Sequence, residues 1–371
     1  MLTRPLLAAL TLVSIAFGST AVAQAPAGLP RDYPKEYARI IEASKKEGQL
    51  LIYSNMAAYN WKPVIDGFNK LYPWISVQTL DLGSGEVFER YYAESGSKAR
   101  TADLMASGAI DRWQHFVSRG EALPYESPET RHLPKWSVPA PGLYTVSADP
   151  MVLLYNKMLV PENLRPTGMG SLAKLVASNP GRFKGKLTTY NASTEAFGLS
   201  INWAAAREQG DAFWEWLSTI GPMTRPERSA GPMIDKVTAG EYAVAYYVSG
   251  IVLFPKLDDP ARQRILGWSF FDDGTPVFLR GMAIPKASTN VNAAKLMLDF
   301  ILSHDGQVAF GKGGLTPYRP DVKASEVPRY TYSSVVEAIG GEDKVILVDY
   351  DPEMLEKEKA FIERWKKSFG F

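Results

Sequence analysis

The chain has 371 residues, no cysteine, 41 basic and 40 acidic side chains, and 46% hydrophobic residues. Without cysteine there are no disulfides, no thiol catalysis, no cysteine metal sites and no lipid anchor on an N-terminal cysteine. The even charge offers no broad surface for nucleic acid or membrane. The length exceeds what one hydrophobic core usually holds, so two lobes are expected.

Residues 1–23 read as a secretory signal peptide: Arg4, then an apolar run over 6–17, then Ala21-Val22-Ala23 as a small-residue cleavage site. The run is shorter than the roughly 20 residues that cross a bilayer. The mature chain is therefore expected in the periplasm, beginning at Gln24 and not lipid-anchored.

Residues 35–47 have a helical period that stops at Gly48, a C-cap signal, and 49–53 follow as an apolar strand. A helix over about 61–71 ends before Pro73, and 75–80 alternate as a strand. A helix near 85–95 and a strand around 102–105 complete an α/β unit with a mostly parallel sheet. Residues 144–155 hold two apolar runs around Asp149-Pro150. A short strand at 187–190 precedes Asn191-Ala192-Ser193-Thr194, read as the cap of a helix through about 208. A helix over 211–219 and a strongly apolar strand over 242–248 indicate a second α/β unit. The strand 276–284, the helix 291–302 and a charged amphipathic helix over 352–367 close the chain.

Several of these segments, in this order, resemble one family. They are SKKEGQLLIYSN (44–55), VIDGFNKLYPWISVQTL (64–80), TADLMASG (101–108), GEYAVAYYVSG (240–250), GMAIPKASTNVNAAKLMLDFILSHDGQVAF (281–310) and GLTPYRPDV (314–322). Together they are similar to the periplasmic solute-binding proteins of ABC importers, in the branch related to ferric-iron-binding proteins. The resemblance implies an α/β, two-lobed Venus-flytrap (type II) fold with two hinge crossover strands, about 143–154 and 276–285. Residues 24–145 and 286–371 would form the first lobe and 150–275 the second. It also implies a small-molecule ligand between the lobes, a membrane permease as partner, a monomer, and no nucleic acid.

Small polar residues follow the expected strands, where ligands of α/β sheets sit. Ser54, Asn55, Ser107, Gly108, Ser193, Thr194 and Ser249 are the candidates, and several precede a helix whose free N–H groups suit an anion. Arg228 and Ser229 add a guanidinium beside a small-residue turn. Tyr247 is the aromatic candidate. The family's iron binders use two adjacent tyrosines as phenolate ligands, which would be Tyr246 and Tyr247 here. Both fall inside the strand, where neighbours point to opposite faces, so an organic or phosphorylated anion is the expected ligand and ferric iron the alternative. His115, His132 and His304 are too dispersed for a metal site, and no cofactor is expected. The chain has no G-x-S-x-G elbow or triad-like context, which argues against a secreted hydrolase.

Overall fold

A computed structural model describes residues 32–371. The expected signal peptide lies outside the described residues.

The first unit alternates as its sequence period requires. Helix α1 (Tyr37–Glu47) buries Tyr37 and Ile41 and ends at Gly48, whose φ of 66° supplies the left-handed cap. Strand β1 (Gln49–Ser54), helix α2 (Ala58–Leu71), strand β2 (Ser76–Asp81), helix α3 (Glu86–Gly96), strand β3 (Leu104–Ser107) and helix α4 (Ile110–Ser118) follow. β1 lies between β2 and β3, parallel to both.

Strand β4 (Leu143–Asn156) is one unbroken, fully buried strand where the sequence shows two runs. It leads into α5 (Met169–Ser178), α6 (Pro180–Phe183), β5 (Leu187–Thr188), α7 (Ala196–Gln209), α8 (Asp211–Ile220) and α9 (Ala230–Thr238). Strand β6 (Val244–Ser249), α10 (Gly250–Lys256), α11 (Pro260–Ile265) and β7 (Leu266–Ser269) complete the second unit. Strand β8 (Thr275–Ala283) then returns antiparallel to β4. These two strands are the crossovers. The β4–β8 ladder shifts register between Thr145 and Ala148, and the main path of the sheet runs β2-β1-β3-β8-β4-β6-β5.

After β8 the chain re-enters the first lobe. Helices α12 (Val291–Leu302) and α13 (His304–Lys312) share a core with Trp61, Val64 and Phe68. Asp103 fastens this return. Its carboxylate accepts from the backbone N–H groups of Leu51, Thr289 and Asn290 and from the Ser288 hydroxyl, all at 3.0–3.2 Å. Helix α14 (Tyr332–Ile339), strand β9 (Val345–Val348) and helix α15 (Pro352–Phe369) end the chain.

The end of the chain corrects one expectation. Residues 286–371 do not all join the first lobe. Ile346, Val348, Phe361, Trp365 and Phe369 belong to the core of the second, with Phe213, Leu217 and Ile220. The Trp365 indole N–H donates to Asn202 Oδ1 at 3.3 Å, and Arg364 lies 4.0 Å above the Trp214 ring. The amphipathic face of α15 needed an apolar partner, and α7 and α8 provide it.

Candidate functional site

The loops that follow the strands meet in a cleft of about 460 Å³. One wall is Asn55, Met56, Ala57, Tyr59, Asn60 and Asp81–Ser84 from the first lobe, the other Tyr190, Phe197, Arg228–Gly231, Ser249, Ile251 and Val252 from the second. Helices α2, α7, α9 and α10 all begin at or beside this space, and none has a side-chain cap on its first turn. Free N–H groups and the positive ends of helix dipoles therefore line the cleft.

Arg280 forms the floor. It stands on β8 and is only 4% exposed. Its Nη1 donates to Asn55 Oδ1 at 2.8 Å, and its Nη2 reaches Asp149 Oδ2 on β4 at 3.4 Å. Its Nε is buried without a hydrogen-bond partner among the described residues. Asp149 is held by the Ser147 hydroxyl at 2.9 Å and the Thr316 N–H at 3.1 Å. Burial pushes the Asp149 carboxyl up from its ordinary value, and the Arg280 charge opposes that push. Burial also raises the Tyr190 phenol, partly offset by the Ser249 N–H and by Arg280, so Tyr190 stays protonated as a donor. At the rim Arg228 is 87% exposed, with Nε 3.7 Å from Glu195 Oε1.

Of the residues read from the sequence, Asn55, Arg228, Ser229 and Ser249 line the cleft. Gly108 lies behind it and donates its N–H to Asn55 Oδ1 at 3.2 Å, which orients that amide. The others are corrections. The Ser54 hydroxyl is fully buried and accepts from the Trp61 indole at 2.8 Å. The Ser107 hydroxyl donates to the Ser84 carbonyl at 2.8 Å and accepts from Ala109 N–H at 3.2 Å. Ser193 turns back on Asn191 Oδ1 through both its N–H (2.9 Å) and its hydroxyl (2.7 Å). Thr194 is exposed outside the cleft lining, and α7 starts after Glu195 instead of at the Asn191–Thr194 segment.

Tyr246 and Tyr247 are also displaced from expectation. Val152 pairs with Val248 and Leu154 with Ala245, so both tyrosines oppose the single residue Leu153 in a β-bulge. Tyr247 has φ 59°, and the two rings come together at 5.6 Å. The alternation rule fails there, but the pair points into the core of the second lobe, 0% and 1% exposed. Burial raises both phenols well above their ordinary value, against phenolate formation. Among the described residues no group of three or more His, Asp or Glu side chains is arranged to hold a metal.

Arg280 is the residue that sequence reading missed. Its signal was present: one arginine inside the otherwise apolar run Pro276–Ile284. A guanidinium in a buried strand requires a partner or a ligand.

Two lobes joined by antiparallel crossovers, with helix starts converging between them, define a hinged ligand-binding protein. The sequence model for bacterial extracellular solute-binding proteins matches residues 53–308, and the chain belongs to that family. By sequence, no curated protein matches it. Among solved structures, it is similar to the substrate-binding protein of an ABC transporter from Agrobacterium tumefaciens, with TM-score 0.75 and 21% identity over 88% of this chain and 96% of that one. Iron-bound HitA from Pseudomonas aeruginosa gives TM-score 0.67 and 17% identity over 84% of this chain and 99% of the other. AfuA from Actinobacillus pleuropneumoniae, with fructose 6-phosphate bound, gives 0.67 and 20% over 88% and 99%. At these identities the likeness is one of fold.

Proposed function

We propose that this protein is the periplasmic substrate-binding component of an ABC importer, and that it captures a small organic anion, most favourably a phosphorylated one, in the cleft above Arg280. The lobes close by bending at β4 and β8, and the closed form delivers the ligand to a membrane permease. The protein binds without catalysing, needs no cofactor and works as a monomer.

The observation that carries this reading is the buried guanidinium of Arg280, its Nε without a hydrogen-bond partner among the described residues, lining a cleft ringed by uncapped helix starts. That donor set suits an anion with several acceptor oxygens. Arg228 from the rim and the Tyr190 hydroxyl add donors as the cleft narrows. Two of the similar structures extend the argument by analogy, one named for an ABC transporter and one holding a sugar phosphate. Ferric iron, suggested by HitA, is disfavoured because Tyr246 and Tyr247 lie in the core.

The test is a thermal-shift screen of the mature chain against fructose 6-phosphate, inorganic phosphate, dicarboxylates and ferric citrate. A ligand at a hundred times its dissociation constant adds about 2.7 kcal/mol of stability. A shift with phosphorylated or carboxylate compounds is expected. A shift with ferric citrate alone, together with a visible charge-transfer band, would sink the anion reading.

A further inference from the structure

A second pocket, of about 460 Å³, opens on the first lobe and shares no lining residue with the cleft. Its walls include Tyr33, Tyr37, Tyr72 and Phe300, and Asp299 of α12 is at its base. Asp299 is 1% exposed. Its Oδ2 accepts from the hydroxyls of Tyr37 and Tyr125, each at 2.6 Å, and the Ser127 hydroxyl also stabilises the carboxylate, while its Oδ1 is buried with no hydrogen-bond partner in reach among the described residues.

The nearby charges are engaged elsewhere. Glu129 is paired with Arg319, which also binds Asp321 at 2.7 Å, and takes the Tyr33 hydroxyl at 2.6 Å. Arg131 is turned to the His132 ring and the Asp32 carbonyl, each at 3.0 Å. His304 faces Asp305 and Glu326, both at 3.4 Å. Lys295, one turn earlier on α12, lies 5.0 Å from the Tyr125 ring centroid. No ion pair reaches Asp299 among the described residues. Among the described residues the lining holds four carboxylates (Asp32, Glu129, Asp299, Asp305) against two guanidiniums (Arg131, Arg319).

A buried carboxylate with one unsatisfied oxygen is costly unless a cation or a proton joins it. A cation that joins it would offer an N–H to Oδ1 and pack against the aromatic rings, which attract cations. We propose that this pocket is a second ligand site, for a small protonated primary amine whose ammonium donates to Asp299 Oδ1 between the tyrosine rings. It is independent of the anion site and does not rest on the identity of the cleft ligand. A proton is its natural competitor: burial, helped by the Glu129 charge, outweighs the hydroxyls of Ser127, Tyr125 and Tyr37 and lifts the Asp299 carboxyl to about 7.

The experiment titrates n-butylammonium chloride into the mature protein by calorimetry, with 1-butanol as the neutral isostere and potassium chloride as the salt control. Saturable binding of the amine at pH 8 is expected, with none for the alcohol or the salt. Affinity should fall about tenfold at pH 6, where a carboxyl titrating near 7 is mostly protonated. The isosteric Asp299→Asn variant should abolish binding. Equal binding of butanol, unchanged affinity in Asp299→Asn, or no saturable binding of the amine would each overturn the proposal. If Asp299→Asn does not fold, the wild-type pH profile decides, and a flat profile between pH 6 and 8 overturns it.

Discussion

Replacing Arg280 with methionine separates its ion pair with Asp149 from the anion contact proposed for it. The substitution keeps the apolar stem and removes the guanidinium. Asp149, 1% exposed, then keeps only the Ser147 hydroxyl and the Thr316 N–H. Breaking a buried ion pair on one side costs about 3–5 kcal/mol. The Arg280–Asp149 contact is long, at 3.4 Å, and burial already favours a proton on Asp149. Both features place the loss near the lower end, about 3 kcal/mol. Urea unfolding at pH 7 measures it. Adding Asp149→Asn removes the orphaned charge and should restore most of the stability. Anion binding should not return, because a hydrogen bond to a charged group is worth about 1.5–3 kcal/mol, or about 10- to 150-fold in affinity. Calorimetry with the best anion from the screen reads that loss in the stabilised double variant. If the double variant binds the anion as tightly as the wild type, Arg280 is structural only and the argument from its free Nε fails.

Asp299 makes stability depend on pH in a direction opposite to an ordinary salt-bridged carboxylate. The folded protein holds this proton up to about pH 7, while the unfolded chain releases it near its ordinary value of 3.8. The folded state therefore binds more protons across that interval, and stability falls as pH rises through it. Denaturant unfolding of Asp299→Asn should gain on the wild type by about 4 kcal/mol between pH 4 and pH 8, and a flat difference refutes the assignment. Tyr247→Phe deletes a buried hydroxyl without a partner, so stability should hold or rise slightly and anion affinity should stay unchanged. Loss of binding in that variant would return the tyrosine to the site. Gly281→Ala places a Cβ 2.4 Å from both the Trp113 indole nitrogen and the Tyr350 hydroxyl oxygen, so the melting temperature should fall by an amount equivalent to about 1–3 kcal/mol. An unchanged melting temperature would show that the crossover strand has slack there.

Periodicity made most elements legible. The helix read at 291–302 is α12, and the one read at 211–219 is α8 less one residue. Local patterns succeed because each helix shows its own buried stripe. The partner of that stripe is not a local property. The face of α15 was plain, but its packing on α7 and α8 depends on residues about 150 positions earlier in the chain. Serines after strands look the same whether they receive an indole N–H, as Ser54 does, or face open solvent in a cleft. The tyrosine pair could be placed only with Leu153 opposite it, because a bulge is a relation between two strands. Arg280 and Asp149 are 131 residues apart, and only the β4–β8 register joins them.

The route of the chain also governs the order in which it can be completed. The first lobe lacks α12 and α13 until residue 312 has been made, and the second lacks Phe361, Trp365 and Phe369 until almost the last residue. Neither half can seal its apolar interior early, since each waits for strands and helices encoded far downstream. A nascent chain of this design stays unsealed through most of its synthesis. The same wiring makes the extreme C-terminus a poor place to trim: losing α15 would strip one wall from the second lobe while leaving every cleft residue named above in the sequence.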